Sequence, residues 1–104
     1  MKTLSDLQDA IISERHRQGW LSETDINCTV AGIAEELGEF ARALRERDPM
    51  RASRELGDIM IFCLGGLRIL ENQTMGVATL AFRAQDILEE IVGINAARPL
   101  RRGH

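Results

Sequence analysis

Two acidic clusters flank one Asp-Pro pair. Glu35-Glu36-Leu37-Gly38-Glu39 precedes it, and Glu55-Leu56-Gly57-Asp58 follows it. In a helix, residues three apart share a side and lie about 4.5 Å apart along the axis. Glu36 and Glu39 would then form one pair, and Glu55 and Asp58 another. If antiparallel helices meet at a tight turn around Arg47-Asp48-Pro49, residues at equal height have numbers that add to a constant. Glu36 with Asp58, and Glu39 with Glu55, share the constant 94, whose half falls on the turn. Four carboxylates would thus lie level across one hairpin. At such range they repel, and some stay protonated unless a cation neutralises them. An all-oxygen set suits a hard ion, Mg²⁺ or Mn²⁺. No histidine joins them, which argues against a di-iron site built on Glu-x-x-His pairs. Solvated surface charge is the alternative. It suits the second helix, whose acids lie away from its apolar stripe. It suits Glu55 and Asp58 less well, because they begin a line that continues through Phe62 and Ile69.

The elements that must hold these acids are helices. Thr3 with Asp6 resembles a capping box that opens a helix over residues 4–17, with Leu4, Leu7 and Ile11 as a narrow apolar stripe. Gly19 ends it, and a loop with Trp20, Ser22 and Thr24 follows. Asp25 is positioned to cap a second helix, which carries Val30, Ile33, Leu37, Ala41 and Leu44 at helical spacing. Asp48-Pro49 is the clearest punctuation: a cap followed by proline at the first helical position. The third helix is predicted to run to Leu70. It is apolar on more than one face, with Leu56, Met60, Cys63 and Leu67 on one and Phe62, Gly66 and Ile69 on another. Such a helix is buried, and in so small a chain a second subunit is expected to cover part of it. Glu71-Asn72-Gln73 is read as a polar connection. A fourth helix is predicted over residues 74–93, followed by Asn95, Arg98 and a basic tail over residues 99–104. The expectation is one all-α domain over residues 1–104, a four-helix bundle-like fold completed by oligomerisation.

Composition narrows the class. The chain has 104 residues, 13 basic and 16 acidic, and a formal charge of −3. That balance disfavours a general nucleic-acid or membrane binder. No stretch approaches the roughly 18 apolar residues of a membrane span. The N-terminus lacks the apolar run of a signal peptide. Cys28 and Cys63 have no metal-ligand spacing and read as buried free thiols. Together these readings point to the cytoplasm.

The string EELGEF…ELGDIM resembles the paired motif of the MazG-like all-α nucleoside triphosphate pyrophosphohydrolases, over about residues 27–70. The resemblance implies that Glu36, Glu39, Glu55 and Asp58 ligate Mg²⁺, with Mn²⁺ as a possible substitute. It also implies that Glu35 is a candidate general base for the attacking water. The implied reaction hydrolyses a (d)NTP between its α and β phosphates to (d)NMP and pyrophosphate, in cleaning or regulating the nucleotide pool. Phosphoryl transfer needs charge neutralisation and in-line positioning more than covalent help, which clustered acids and a cation provide. Family members place base-contacting residues near Trp20, with His16 and Asn27 as polar neighbours. They place phosphate-contacting residues near Asn95 and Arg98, although the lysine common there is missing. The implied partners are a nucleoside triphosphate and further copies of the chain, as a homodimer or a dimer of dimers. Two alternatives are a specialised pyrophosphatase of the same fold, such as one acting on phosphoribosyl-ATP, and a non-enzymatic helical interaction protein.

Overall fold

A computed structural model describes residues 2–18, 26–73 and 84–99. The described residues form four α-helices and no strand: α1 (Leu4–Arg17), α2 (Ile26–Arg45), α3 (Pro49–Gln73) and α4 (Ala84–Ala96). The chain is all-α, as the sequence predicts.

The helix starts follow local hydrogen bonding. The Thr3 N–H donates to Asp6 Oδ2 at 2.9 Å, and the Asp6 N–H donates to Thr3 Oγ1 at 3.1 Å. This reciprocal pair satisfies donors that a helix start leaves open. At α3 the Arg51 N–H donates to Asp48 Oδ1 at 3.1 Å, and Pro49, two positions earlier, occupies the slot that needs no donor. The expected cap Asp25 lies outside the described residues, as do residues 74–83 and the tail beyond residue 99.

The α2–α3 turn is tight, with only Glu46, Arg47 and Asp48 between the helices. The Arg47 N–H reaches the Leu44 carbonyl at 3.1 Å, and the Asp48 N–H reaches the Ala43 carbonyl at 3.0 Å. This is a Schellman ending, and its left-handed residue is Arg47, at φ 57°. Asp48 thus closes one helix and caps the next. The register that follows is the predicted one. Gly32 faces Phe62, and Thr29 faces Gly66.

Two boundaries differ from expectation. Helix α3 continues through Glu71, Asn72 and Gln73, because their polar character does not break a helix that no Gly or Pro interrupts there. Helix α4 passes Gly93 and ends at Ala96, so Asn95 lies inside it rather than after it.

Helix α1 packs on α3, and α4 packs on α1. Among the described residues the buried core is small: Ile12, Ala43, Ala52, Leu64, Ile69 and Ala84. The α1 stripe turns one step from its expected direction. Gln8 and Ile12 are buried, while Leu7 is exposed. Gln8 explains the turn. Its Nε2 donates to the Leu64 carbonyl at 3.4 Å, and its Oε1 accepts from the Ala84 N–H at 2.9 Å. One amide thereby ties α1 to α3 and satisfies a donor at the start of α4. Arg68 adds an ion pair to Asp9 at 3.6 Å across the α1–α3 contact.

The apolar stripe of α2 does not face α3. Val30, Leu37 and Leu44 are 62 %, 55 % and 56 % exposed. The face of α2 turned toward α3 instead carries Thr29, Gly32, Glu36 and Ala43, small or acidic residues that admit close approach. Leu56, Met60 and Cys63 on α3 are exposed as well. Both cysteines, expected to be buried, are free and exposed, because the faces of α2 and α3 that carry them are not covered by the described helices.

Candidate metal centre

The hairpin register brings Glu36 of α2 to the level of Glu55 and Asp58 of α3. One carboxylate oxygen from each lies within 4.8 Å of the others. Glu55 and Glu36 are half-buried, and Asp58 is exposed at the rim. The crowding has an electrostatic signature. The Glu36 carboxyl is pushed up to about 7, first by a hydrogen bond shared with Glu55. Desolvation and the charges of Glu55, Asp58 and Glu35 add to the shift. Two carboxyls that share a proton are a common result of like charges held together without a counter-ion.

Glu39 stands apart from this trio. Its Oε2 pairs with Arg51 Nη2 at 2.6 Å. The same guanidinium reaches Glu46 Oε2 at 3.2 Å and comes within 4.0 Å of Glu55 Oε1. Arg51 is the residue that motif reading passes over. Its sequence signal is modest: a basic residue four positions before Glu55, in the first turn of α3, where it can reach back over the turn.

Glu35 is exposed and precedes Glu36 on the helix, about 100° around it. Its charge contributes to the shift of Glu36, so it flanks the trio. The expected substrate contacts are more scattered. Trp20 lies outside the described residues, and His16 is described only as part of α1. Asn27 is exposed in the first turn of α2, nine residues and so about 13 Å along the axis from Glu36. Asn95 and Arg98 are exposed at the far end of α4, where the Arg98 N–H donates to the Asn95 carbonyl. Among the described residues, no hydrogen bond or ion pair joins either to the acids.

A trio of helical acids across a tight hairpin is not unique to one family, but here it coincides with a family match. Residues 25–92 match the MazG nucleotide pyrophosphohydrolase domain. The chain belongs to this family. The match spans α2, α3 and most of α4, and so contains the whole acidic group. MazG domains are nucleotide pyrophosphohydrolases and generally metal-dependent, and the acid trio lies where both motif halves meet. Comparison with curated proteins and with solved structures finds no match. No described helix of this MazG domain is long and apolar enough to cross a membrane.

Proposed function

We propose that the chain is a Mg²⁺-dependent nucleoside triphosphate pyrophosphohydrolase that converts a (d)NTP into a (d)NMP and pyrophosphate in the cytoplasm. The observation that carries the reading is the Glu36–Glu55–Asp58 trio, held level by the hairpin inside a MazG domain.

The residues fit a hard divalent cation. The donors are all carboxylate oxygens, they converge from two helices, and their crowding pushes the Glu36 carboxyl up. Glu36, Glu55 and Asp58 would hold the ion, with Glu39 as a fourth ligand. When bound, the ion neutralises phosphate charge and makes an attacking water more acidic. Glu35, exposed beside the trio, accepts the proton of that water as general base. By holding the ion, the trio would set where the triphosphate's α and β phosphates lie relative to Glu35. Trp20, His16 and Asn27 are proposed contacts for the base and sugar, and Asn95 and Arg98 for the phosphates.

The site is proposed to work in a homo-oligomer, a dimer or a dimer of dimers. Val30, Leu37 and Leu44 of α2 and Leu56, Met60 and Cys63 of α3 are exposed together. By the 100° step per residue they lie on one side of the hairpin, opposite Glu35 and Glu39. A second copy burying that face would contribute apolar area that this small core lacks. Light scattering should give a multiple of 11.6 kDa; a stable monomer at micromolar concentration would contradict the oligomer.

The deciding experiment is a panel of canonical and modified (d)NTPs, read by pyrophosphate release with Mg²⁺ and with a chelator. Release that requires Mg²⁺ and is lost in E55Q and D58N is the expected result. Equal release in the presence of the chelator would overturn the reading.

A further inference from the structure

The four acids of the hairpin are chemically alike, yet the structure divides them. Three converge on one another, and the guanidinium of Arg51 reaches only their edge, at 4.0 Å from Glu55 Oε1. The fourth, Glu39, is held by Arg51 through a 2.6 Å contact, the shortest of three that this guanidinium makes with acids. Arg51 is itself well placed by the backbone. Its N–H is bound by the Asp48 cap, which sets it in the first turn of α3 directly above the reversal. From there its side chain, about one-third exposed, spans Glu46 after α2, Glu39 within α2 and the edge of Glu55. An exposed surface pair contributes little, but this one has three acidic partners and restricted exposure. A planar guanidinium suits several carboxylates at once.

We propose that Arg51 is a positioning residue that acts as a resident counter-cation: it withholds Glu39 from the acid trio, and cation uptake by the full four-acid set requires Glu39 to exchange Arg51 for the ion. This rests on the reading of the trio as a cation site, and it assigns Arg51 a role that the acidic motif does not contain. Two positive groups cannot both neutralise one carboxylate fully, so Arg51 and the divalent ion compete for Glu39. The trio remains available to a cation throughout, and Glu39 is the ligand whose availability is regulated. Glu46, already paired with Arg51 Nη1 at 3.2 Å, holds the guanidinium when Glu39 is released.

The test is Mn²⁺ binding to the nucleotide-free protein by calorimetric titration. R51Q should bind Mn²⁺ at least about five-fold more tightly than wild type, and R51K should stay close to wild type. R54Q removes the same charge three residues further on and should change affinity less than two-fold. In an E39Q background the R51Q gain should disappear, since there is no Glu39 carboxylate to release. A gain of equal size with and without Glu39, or from R54Q as well, overturns the proposal in favour of a diffuse charge effect. A second measurement does not depend on the folding of R51Q. In wild type, the Arg51 Nε–H resonance, assigned by its absence from R51K, should shift as Mg²⁺ is added; no shift at saturation overturns the exchange. The parent reading fails separately: wild type that takes up no Mn²⁺, with E55Q indistinguishable from it, removes the cation site and the exchange with it. Uptake by wild type that R51Q leaves unchanged removes only the role of Arg51.

Discussion

The ring of Phe62 lies against the α2 backbone at Gly32, so closely that a Cβ on that glycine would fall 2.3 Å from the ring. Thr29 and Gly66 repeat the arrangement one turn away, with a Cβ on Gly66 falling 2.9 Å from the threonine methyl. A glycine on each helix thus receives a side chain from the other, and the helices approach near enough for Glu36 and Glu55 to hydrogen-bond. The close packing sets the separation of the site's two walls, which makes these glycines as relevant to function as to stability.

Gly32→Ala should therefore destabilise the protein despite the better helix propensity of alanine. Overpacking costs typically about 1–3 kcal/mol, against a propensity gain of about 1 kcal/mol. Gly38→Ala is the control. Nothing lies within 4 Å of its Cβ position, so it should stabilise by up to about 1 kcal/mol. Urea unfolding of the pair distinguishes the two. Equal stabilisation by both would mean that Phe62 moves aside freely.

At the turn, Arg47 adopts φ 57° without being glycine. A left-handed residue with a Cβ is strained by about 1–2 kcal/mol, and glycine removes that strain at an entropic cost of about 0.5–1 kcal/mol. Arg47→Gly should raise stability by roughly 0.5–1 kcal/mol, seen as a higher melting temperature of a few degrees. A lower melting temperature would indicate that the Arg47 side chain contributes more than its backbone strain costs.

The trio predicts a particular pH dependence in the metal-free protein. The Glu36 carboxyl is raised from 4.5 to about 7 in the folded state. Between those values the folded chain binds more protons than the unfolded one, so stability falls as pH rises. The contribution is fully present below about pH 4.5 and is lost as pH passes 7. With a chelator, the melting temperature should decline across that window. Millimolar Mg²⁺ should raise it most at the alkaline end, where Glu36 has lost its proton and can bind the ion, by mass action on the folded state. A melting curve indifferent to Mg²⁺ at pH 8 would mean that the acids form no folded-state cation site.

Glu35 and Glu36 are neighbours in sequence but are proposed to do different work. Glu35→Gln keeps size and hydrogen-bonding capacity and removes basicity. Turnover should fall by about 10²-fold or more, the scale of a general base, with Mn²⁺ and nucleotide affinity within a few-fold of wild type. Glu36→Gln should weaken Mn²⁺ binding itself. Calorimetry with a non-hydrolysable triphosphate reports affinity, and pyrophosphate release reports turnover. Normal turnover by Glu35→Gln would make Glu35 a solvated acid; loss of Mn²⁺ as severe as in Glu36→Gln would make it a ligand.

Some of this architecture is contained in the sequence by itself. The Thr3–Asp6 box and the Asp48-Pro49 start depend on hydrogen bonds between residues three apart, so local sequence determines them. The level of Glu36 against Asp58 follows from the same source, because a three-residue reversal leaves the two helices almost no freedom to slide. What lies on opposite sides of a helix, or beyond the turn, was decided only by the tertiary structure. Helical periodicity identifies the Val30–Leu37–Leu44 stripe but cannot say that α3 packs on Gly32 and Thr29 instead. That choice depends on how closely two backbones can approach, and small residues win it. The burial of Gln8 follows the same logic, since its amide has value only where the Leu64 carbonyl and the Ala84 N–H converge. The division of the acids is likewise tertiary. Glu39 and Glu55 have the same spacing credentials, and it is the reach of one guanidinium across the turn that separates the first from the trio.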